Sequence, residues 1–334
     1  MSLEYALGTP ELRAPPAPRV IATAGIAALG AALPERRVRN AEIAARLGVS
    51  AAWIETRTGI SERRYAPAGQ RVSDLAASAG RVALRGAGLD AAEIDMVLVA
   101  TVAADEITPG VAPVVADELG ASNAGAIDVG AACAGSIAAL ALATAWIEAG
   151  RARHVLLIGA EILTRFVDAD DRRTAPLFAD GAGAMVVSVD TDGTIGPFVF
   201  GSDGASANAI RATRAGGVIE MDGHETFLRA VEHLSTCTRQ LVERADLVLE
   251  DIDLFVYHQA NSRILAAVAD RLDVPRERVF DCIAELGNTS AASVPLALGE
   301  AVRVGALRPG ERVLLGAIGA GLVWGATVLT WGDC

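Results

Sequence analysis

The stretch "AIDVGAACAGSIAAL", residues 126–140, changes character halfway along. It begins as an apolar, strand-like run, passes through small residues, and continues as a helix. Cys133 stands at the break with Ala and Gly around it. A thiol at a helix N-terminus sits beside unpaired backbone N–H groups and the positive end of the macrodipole, which lowers its pKa. The small neighbours leave room for a substrate and free the amide as an oxyanion donor.

Working outward, the segment belongs to a repeated order. "MVLVATV" (96–102) is a buried strand, a helix follows at 110–119, and the Cys133 helix leads to the strands "HVLLIGAE" (154–161) and "GAMVVSV" (183–189). In the second half "LFVYHQA" (254–260) is a strand and "SRILAAVADRLDV" a helix. "ELGNTSAASVPLALGEAVRVGAL" then turns into a helix as the Cys133 segment does, before the strands "RVLLGAIGAG" (312–321) and "WGATVLTW" (324–331). Alternating strands and helices predict an α/β fold with parallel pairing, and the repetition predicts two related halves with ligand sites near their junction. Residues 1–19 read as a loose leader, 20–190 as the first half, and 191–334 as a connector followed by the second half. The connector carries turn chemistry in "DTDGTIGP" and "GSDGASAN" and a helix at 223–245.

Composition narrows the function classes. The 334 residues are 52% hydrophobic but 4% aromatic, so Ala, Val, Leu and Ile build the core. A net charge of −12 opposes nucleic-acid binding, and all 29 basic residues are arginine, which removes lysine Schiff-base chemistry. No run is long and apolar enough for a membrane span, and the N-terminus lacks the pattern of a secretory signal. Four scattered cysteines, with no C-x-x-C, predict free thiols, a cytoplasmic setting and no metal site.

Two further residues fall at matching ends of the duplicated elements. His258 ends a strand in a chain with only four histidines, and Asn288 lies in a Gly/Ser-rich turn opening a helix. Each alone is an ordinary cap; a Cys with a distant His and Asn is a nucleophile constellation. A papain-like hydrolase uses the same three residue types, so the set leaves the reaction open. The glycines of "ADGAGAMVV" (179–187) suit close strand packing better than a phosphate loop.

"WIETRTGISERR" (53–64), "AACAG" (131–135), "DRRT" (171–174), "LFADGAGA" (177–184), "HQANSRI" (258–264), "GNTSAAS" (287–293) and "GAGLVWG" (319–325) together carry a resemblance. From about residue 20 onward the chain resembles the β-ketoacyl-acyl-carrier-protein synthase III (ketosynthase III) family of the thiolase superfamily. The resemblance implies a five-layered αβαβα core, a homodimer, and no cofactor beyond its CoA and carrier-protein thioester substrates. It implies that Cys133 takes an acyl group from acyl-CoA, and that His258 and Asn288 stabilise the enolate formed when malonyl-acyl carrier protein loses carbon dioxide. Backbone N–H groups of Cys133 and Ala320 would form the oxyanion hole. Trp53, Arg57, Arg172 and Arg263 would line the CoA entrance, Trp53 and Arg172 bracketing adenine, with Asn261 supporting the His loop. Thr108 would gate the acyl pocket across the dimer interface. Ser136 and Ile318 stand where the family carries aromatic residues. Acyl transfer to another acceptor, without condensation, is the alternative that the resemblance allows, and the pathway could be fatty-acid initiation or polyketide priming.

Overall fold

The computed structural model describes residues 22–213 and 217–333, so the expected leader at 1–19 lies outside the described residues. In chain order the first half runs β1 (Gly25–Ala32), β2 (Arg37–Arg39), α1 (Asn40–Leu47), α2 (Ala51–Thr58), β3 (Glu62–Arg64) and α3 (Val72–Ala87). It continues with β4 (Met96–Ala100), α4 (Val111–Leu119), β5 (Gly125–Val129), α5 (Gly135–Glu148), β6 (His154–Ile162) and β7 (Asp180–Ser188). After β8 (Thr194–Ser202) and the short pair β9 (Ile210–Arg211) and β10 (Glu220–Met221) come α6 (Gly223–Arg244), β11 (Leu254–Tyr257) and α7 (Ser262–Leu272). The chain closes with α8 (Ile283–Leu286), α9 (Ser293–Arg303), β12 (Arg312–Gly319) and β13 (Val323–Thr330).

One sheet has the order β1-β7-β6-β4-β5 and the other β11-β12-β13-β8. The repetition read in the sequence is therefore real at the level of topology: β1, β7, β6 and β4 answer to β8, β13, β12 and β11. A lone parallel bridge between Phe255 and Val279 stands where the first sheet has β5.

The expectation of parallel pairing holds only for the β5-β4-β6 and β11-β12 ladders. The other principal ladders are antiparallel. For β12 and β13 the connection accounts for this: it is a hairpin over residues 320–322, and a parallel return needs a crossover of about a dozen residues. A second difference lies in the connector, where β8 emerges from residues read as turn. Gly196, Pro197 and Gly201 hide its alternation, and it tolerates a proline because it is an edge strand.

Side chains alternate across the central strands, and this assigns the layers. On β6, Leu156, Ile158 and Ala160 pack with α3 and α4, while Val155 and Leu157 turn to α5 and α9. On β12, Leu314 and Ile318 face α6 and α7, while Val313, Leu315 and Ala317 join the same α5/α9 cluster. The result is five layers, αβαβα, with α5 and α9 sandwiched between the two sheets. Burial of each such Leu, Ile or Val is worth about 1.5–3 kcal/mol, which fixes the two helices where their N-termini meet.

Glycines set how closely the halves meet. A Cβ on Gly159 would lie 2.2 Å from the Ala291 carbonyl oxygen, so only glycine lets α9's opening turn rest on β6. Gly183 is closed off in the same way by Pro295 and the Leu296 nitrogen. The glycines of "ADGAGAMVV" are thus used for strand–helix packing.

Candidate active site

A cavity of about 1310 Å³ opens at the junction of the halves, lined by Cys133, His258 and Asn288 together. Cys133 lies in a single 3-10 turn, Ala132–Ala134, that precedes α5. The turn is reached through Ala132 at φ 45°, a left-handed conformation unusual for a residue with a side chain. The matching turn before α9 is reached through Ser290 at φ 48°. The small residues after Cys133 serve packing more than substrate room, because a Cβ on Gly135 would touch Ala100 and Ala291 at 3.0 and 3.4 Å. Gly319 of the other half packs directly against the same turn, where a side chain would strike Ala132 and the Cys133 nitrogen.

The expected lowering of the thiol pKa is overturned. Burial pushes Cys133 up to about 11, outweighing the lowering influence of the Ser290 side chain, and the Glu161 charge pushes the same way as burial. At neutral pH the resting nucleophile is therefore a thiol.

His258 follows directly on β11, and its backbone N–H donates to Gly316 at 2.8 Å, continuing the parallel ladder by one rung. Its imidazole is 2% exposed, and burial pulls its pKa to about 4, so it is neutral at pH 7. Nδ1 has no hydrogen-bond partner. The neighbouring Gln259 is fastened on every side: Nε2 donates to the carbonyls of Tyr257 (2.8 Å) and Phe280 (3.1 Å), and Oε1 accepts from the Cys282 N–H. Its own N–H donates to Ser293 Oγ at 2.7 Å. The imidazole is thus carried on a rigid loop.

Asn288 is held by its backbone, donating to Leu177 and accepting from Ala179, both at 2.9 Å. Its side-chain Oδ1 accepts from the Ser290 N–H at 2.9 Å, which orients the amide and leaves Nδ2 as the free donor. Cys133, neutral His258 and Asn288 thus present one nucleophile and two uncharged donors to one space.

The mouth holds the expected outer residues. Ser50 caps α2 by accepting from Trp53 N, and Arg57, one turn later, lays its guanidinium over the Trp53 ring at 4.3 Å. Arg172 is drawn against the end of α1, donating Nε to the Leu47 carbonyl at 3.0 Å. Asn261 caps α7 by accepting from Arg263 N and donates Nδ2 to the Arg57 carbonyl at 3.0 Å, tying the His loop to α2. Arg263 lies over Phe227 at 5.7 Å. All five of these mouth residues, with Ala320 and Ile318 deeper in, line the cavity. Thr108 does not: it is exposed, and its neighbour Ile107 lines the cavity instead.

Residues 127–221 match the family described as 3-oxoacyl-[acyl-carrier-protein (ACP)] synthase III, and residues 242–331 match that family's C-terminal region. A β-ketoacyl-[acyl-carrier-protein] synthase III of Streptomyces coelicolor is 43% identical over 91% of this chain and 96% of its own length. The chain belongs to the 3-oxoacyl-[acyl-carrier-protein] synthase III family. It is accordingly an acyltransferase on the thiolase fold. Among solved structures, the synthase III of Thermus thermophilus is similar at 45% identity and a TM-score of 0.88, covering 93% of this chain and 100% of that one. The priming β-ketosynthase of the R1128 polyketide biosynthetic pathway is 39% identical with a TM-score of 0.89, covering 97% and 99%.

Two buried residues beside this site, Gln259 and Glu161, are not marked by spacing or motif as functional. Gln259 was visible only as part of "HQAN", with no pattern marking it as a clamp. Glu161 does carry a signal: it is an acidic residue inside the apolar run "HVLLIGAEI", and it is fully buried in β6. A carboxylate buried without a counter-ion is costly and needs a reason. Ser136, in the aromatic's place, is buried with its hydroxyl unpartnered, and nothing in the structure explains it.

Proposed function

We propose that this synthase III condenses in two stages. Cys133 first takes the acyl group of an acyl-CoA; the acyl-enzyme is then attacked by the carbanion released when a malonyl group on acyl carrier protein loses carbon dioxide. The observation that carries this reading is the pairing of neutral His258 with Asn288, whose Oδ1 is already engaged, in the cavity of Cys133. Loss of carbon dioxide leaves negative charge on the malonyl thioester oxygen, and two preorganised neutral donors stabilise it where water is excluded. Decarboxylation itself generates the carbanion, so this stage needs no base. Plain acyl transfer would have no use for the pair.

In the first stage, the tetrahedral oxyanion is received by the backbone N–H groups of Cys133 and Ala320. CoA enters past Trp53 and Arg172, which hold the adenine, while Arg57 and Arg263 meet its phosphates. Acidic carrier protein docks at the same mouth. Arg263, exposed and in no ion pair among the described residues, supports this, whereas Arg229 is occupied by Glu225 and Glu232. No cofactor is required beyond these thioesters.

The active form is a homodimer. β5 pairs with β4 along one edge and exposes the other, and Ile127, Leu142 and Ile107 are 46%, 43% and 84% exposed beside it. Open apolar edges of this kind are ordinarily covered. Thr108 lies on that face, where it would reach the partner's acyl pocket. The two halves, 20–190 and 191–334, act as one unit, with Cys133 from the first and His258 and Asn288 from the second. The free thiols of Cys133, Cys237 and Cys282 suit a reducing cytoplasm.

Intact-protein mass spectrometry with peptide mapping, after exposure to a series of acyl-CoAs, tests the nucleophile. The acyl increment is expected on Cys133 and absent from Cys133→Ala. An increment on Cys237 or Cys282 would overturn the assignment.

A further inference from the structure

The hairpin that carries Ala320 is short, and its root is braced on both faces of the sheet. Ile318 pairs with Trp324 across it, so Ala320 sits at the tip that these two residues support. Ile318, Gly319, Ala320, Gly321 and Leu322 all line the cavity. A shift of the root therefore moves the Ala320 N–H relative to Cys133.

Strand β8 fastens this root. Asp203, just past its end, donates its N–H to the Leu322 carbonyl at 2.9 Å and accepts from the Leu322 N–H at 2.8 Å. Along the β8–β13 ladder, Trp324 then stands opposite Gly201, and Gly325 opposite Phe200. A Cβ on Gly201 would strike the Trp324 indole, and one on Gly325 would strike the Phe200 ring. Successive side chains of a strand point to opposite faces, so one aromatic ring covers a glycine on each side of the sheet. On the α5 side the same spot meets the helix of the nucleophile, since a Cβ on Gly325 would lie 3.2 Å from Ile137 Cγ2 in the first turn of α5.

On the other side, His233 of α6 completes the brace. Its imidazole stacks on the Trp324 indole, with centroids 3.9 Å apart and planes 11° from parallel. The indole is thus held between α6 and the backbone of β8, against the cluster that contains Ile318 and Leu322. His233 Nε2 is buried with no hydrogen-bond partner, so the ring contributes its flat face and not a polar bond from that atom. Burial lowers its pKa, which keeps the imidazole uncharged at neutral pH. His233 itself does not line the cavity.

We propose that His233 is a positioning residue for the oxyanion hole: by pressing Trp324 onto Gly201, it sets the height of the Ala320 N–H opposite Cys133. This rests on the reading of Cys133 as the acyl-carrying nucleophile and of the Ala320 N–H as an oxyanion donor. Such a donor is effective only within about 2.7–3.1 Å of the forming oxyanion, so a small displacement of the hairpin tip weakens it.

The test is the rate of Cys133 acylation as a function of acetyl-CoA concentration, followed by intact-protein mass spectrometry in wild type, His233→Ala and His233→Phe. His233→Ala should lower the saturating rate constant by about tenfold, short of the 10²–10³-fold or so lost with a whole oxyanion donor, and leave the half-saturating concentration unchanged. His233→Phe puts a flat ring back on the indole and should return the rate constant close to that of wild type. A merely structural role would reduce the fraction of His233→Ala that acylates while leaving its rate constant alone, and that result would overturn the proposal. A defect confined to half-saturation, or one that His233→Phe does not repair, would overturn it as well. Acylation of a residue other than Cys133 in wild type would instead overturn the nucleophile assignment, and the proposal with it.

Discussion

Gly319 passes so close beneath Cys133 that a Cβ on it would lie 2.5 Å from the Cys133 backbone nitrogen and 3.2 Å from that of Ala134. The last residue of a strand in one half thereby fixes the height of the nucleophile in the other. Gly319→Ala should push the Ala132–Ala134 turn outward, and a displacement of about 1 Å costs about 10²-fold in rate. Acylation of purified Gly319→Ala, compared with its circular dichroism, checks this: the fold should persist while loading falls by about that factor.

Burial of His258 has a consequence for stability. Its pKa falls from an ordinary 6.5 to about 4 in the folded chain. A folded pKa below the unfolded one contributes stability above the unfolded value and loses it as pH falls through the folded value. This group should therefore remove about 3 kcal/mol between about pH 6.5 and pH 4. Glu161 and Asp180, both raised by burial, act in the opposite direction, so a comparison isolates the histidine. Denaturant titrations at several pH values should show His258→Asn losing less stability than wild type on acidification. Parallel curves would show that the imidazole is not buried neutral.

The sequence made Cys133, His258 and Asn288 legible because each stands at the end of a repeated element, and the alternation of strands and helices made the α/β class and the two halves legible, while the five layers came with the family resemblance. Other features were hidden for separate physical reasons. β8 carries Pro197 and glycines that an edge strand accepts but a pattern reading takes for a turn. The direction of the Cys133 shift depends on how deeply the turn is enclosed by the other half, which no local signal records.

Arg263 provides an electrostatic test of the mouth. It is exposed, so its attraction for phosphate-bearing substrates is screened by salt. Arg263→Ala should raise KM for acyl-CoA and for malonyl carrier protein, and the difference from wild type should shrink between about 0.02 and 0.3 M salt, as the Debye length shortens. A KM that is unchanged at low salt would remove Arg263 from the entrance.

The exposed edge beside β5 leads to a paired prediction. Ile127→Asp should separate the dimer in sedimentation experiments, since it places a charge on the uncovered strand. Thr108→Phe should leave the dimer intact and lower kcat/KM for hexanoyl-CoA more than for acetyl-CoA. Each buried methylene is worth about 0.8 kcal/mol, so blocking two or more should shift the preference by about tenfold or more. An unchanged chain-length profile would show that Thr108 does not gate the pocket.

The central claim, that Cys133 carries the acyl group while His258 and Asn288 serve decarboxylation, is tested most directly by measuring both stages in the same variants. Acyl loading of Cys133 and release of carbon dioxide from malonyl-acyl carrier protein would be followed in wild type, His258→Ala and Asn288→Ala. Loading should stay within a few-fold of wild type in both variants, while carbon dioxide release falls by about 10²–10³-fold, the usual effect of removing one oxyanion-type donor. Carbon dioxide release at the wild-type rate from either variant would contradict the account.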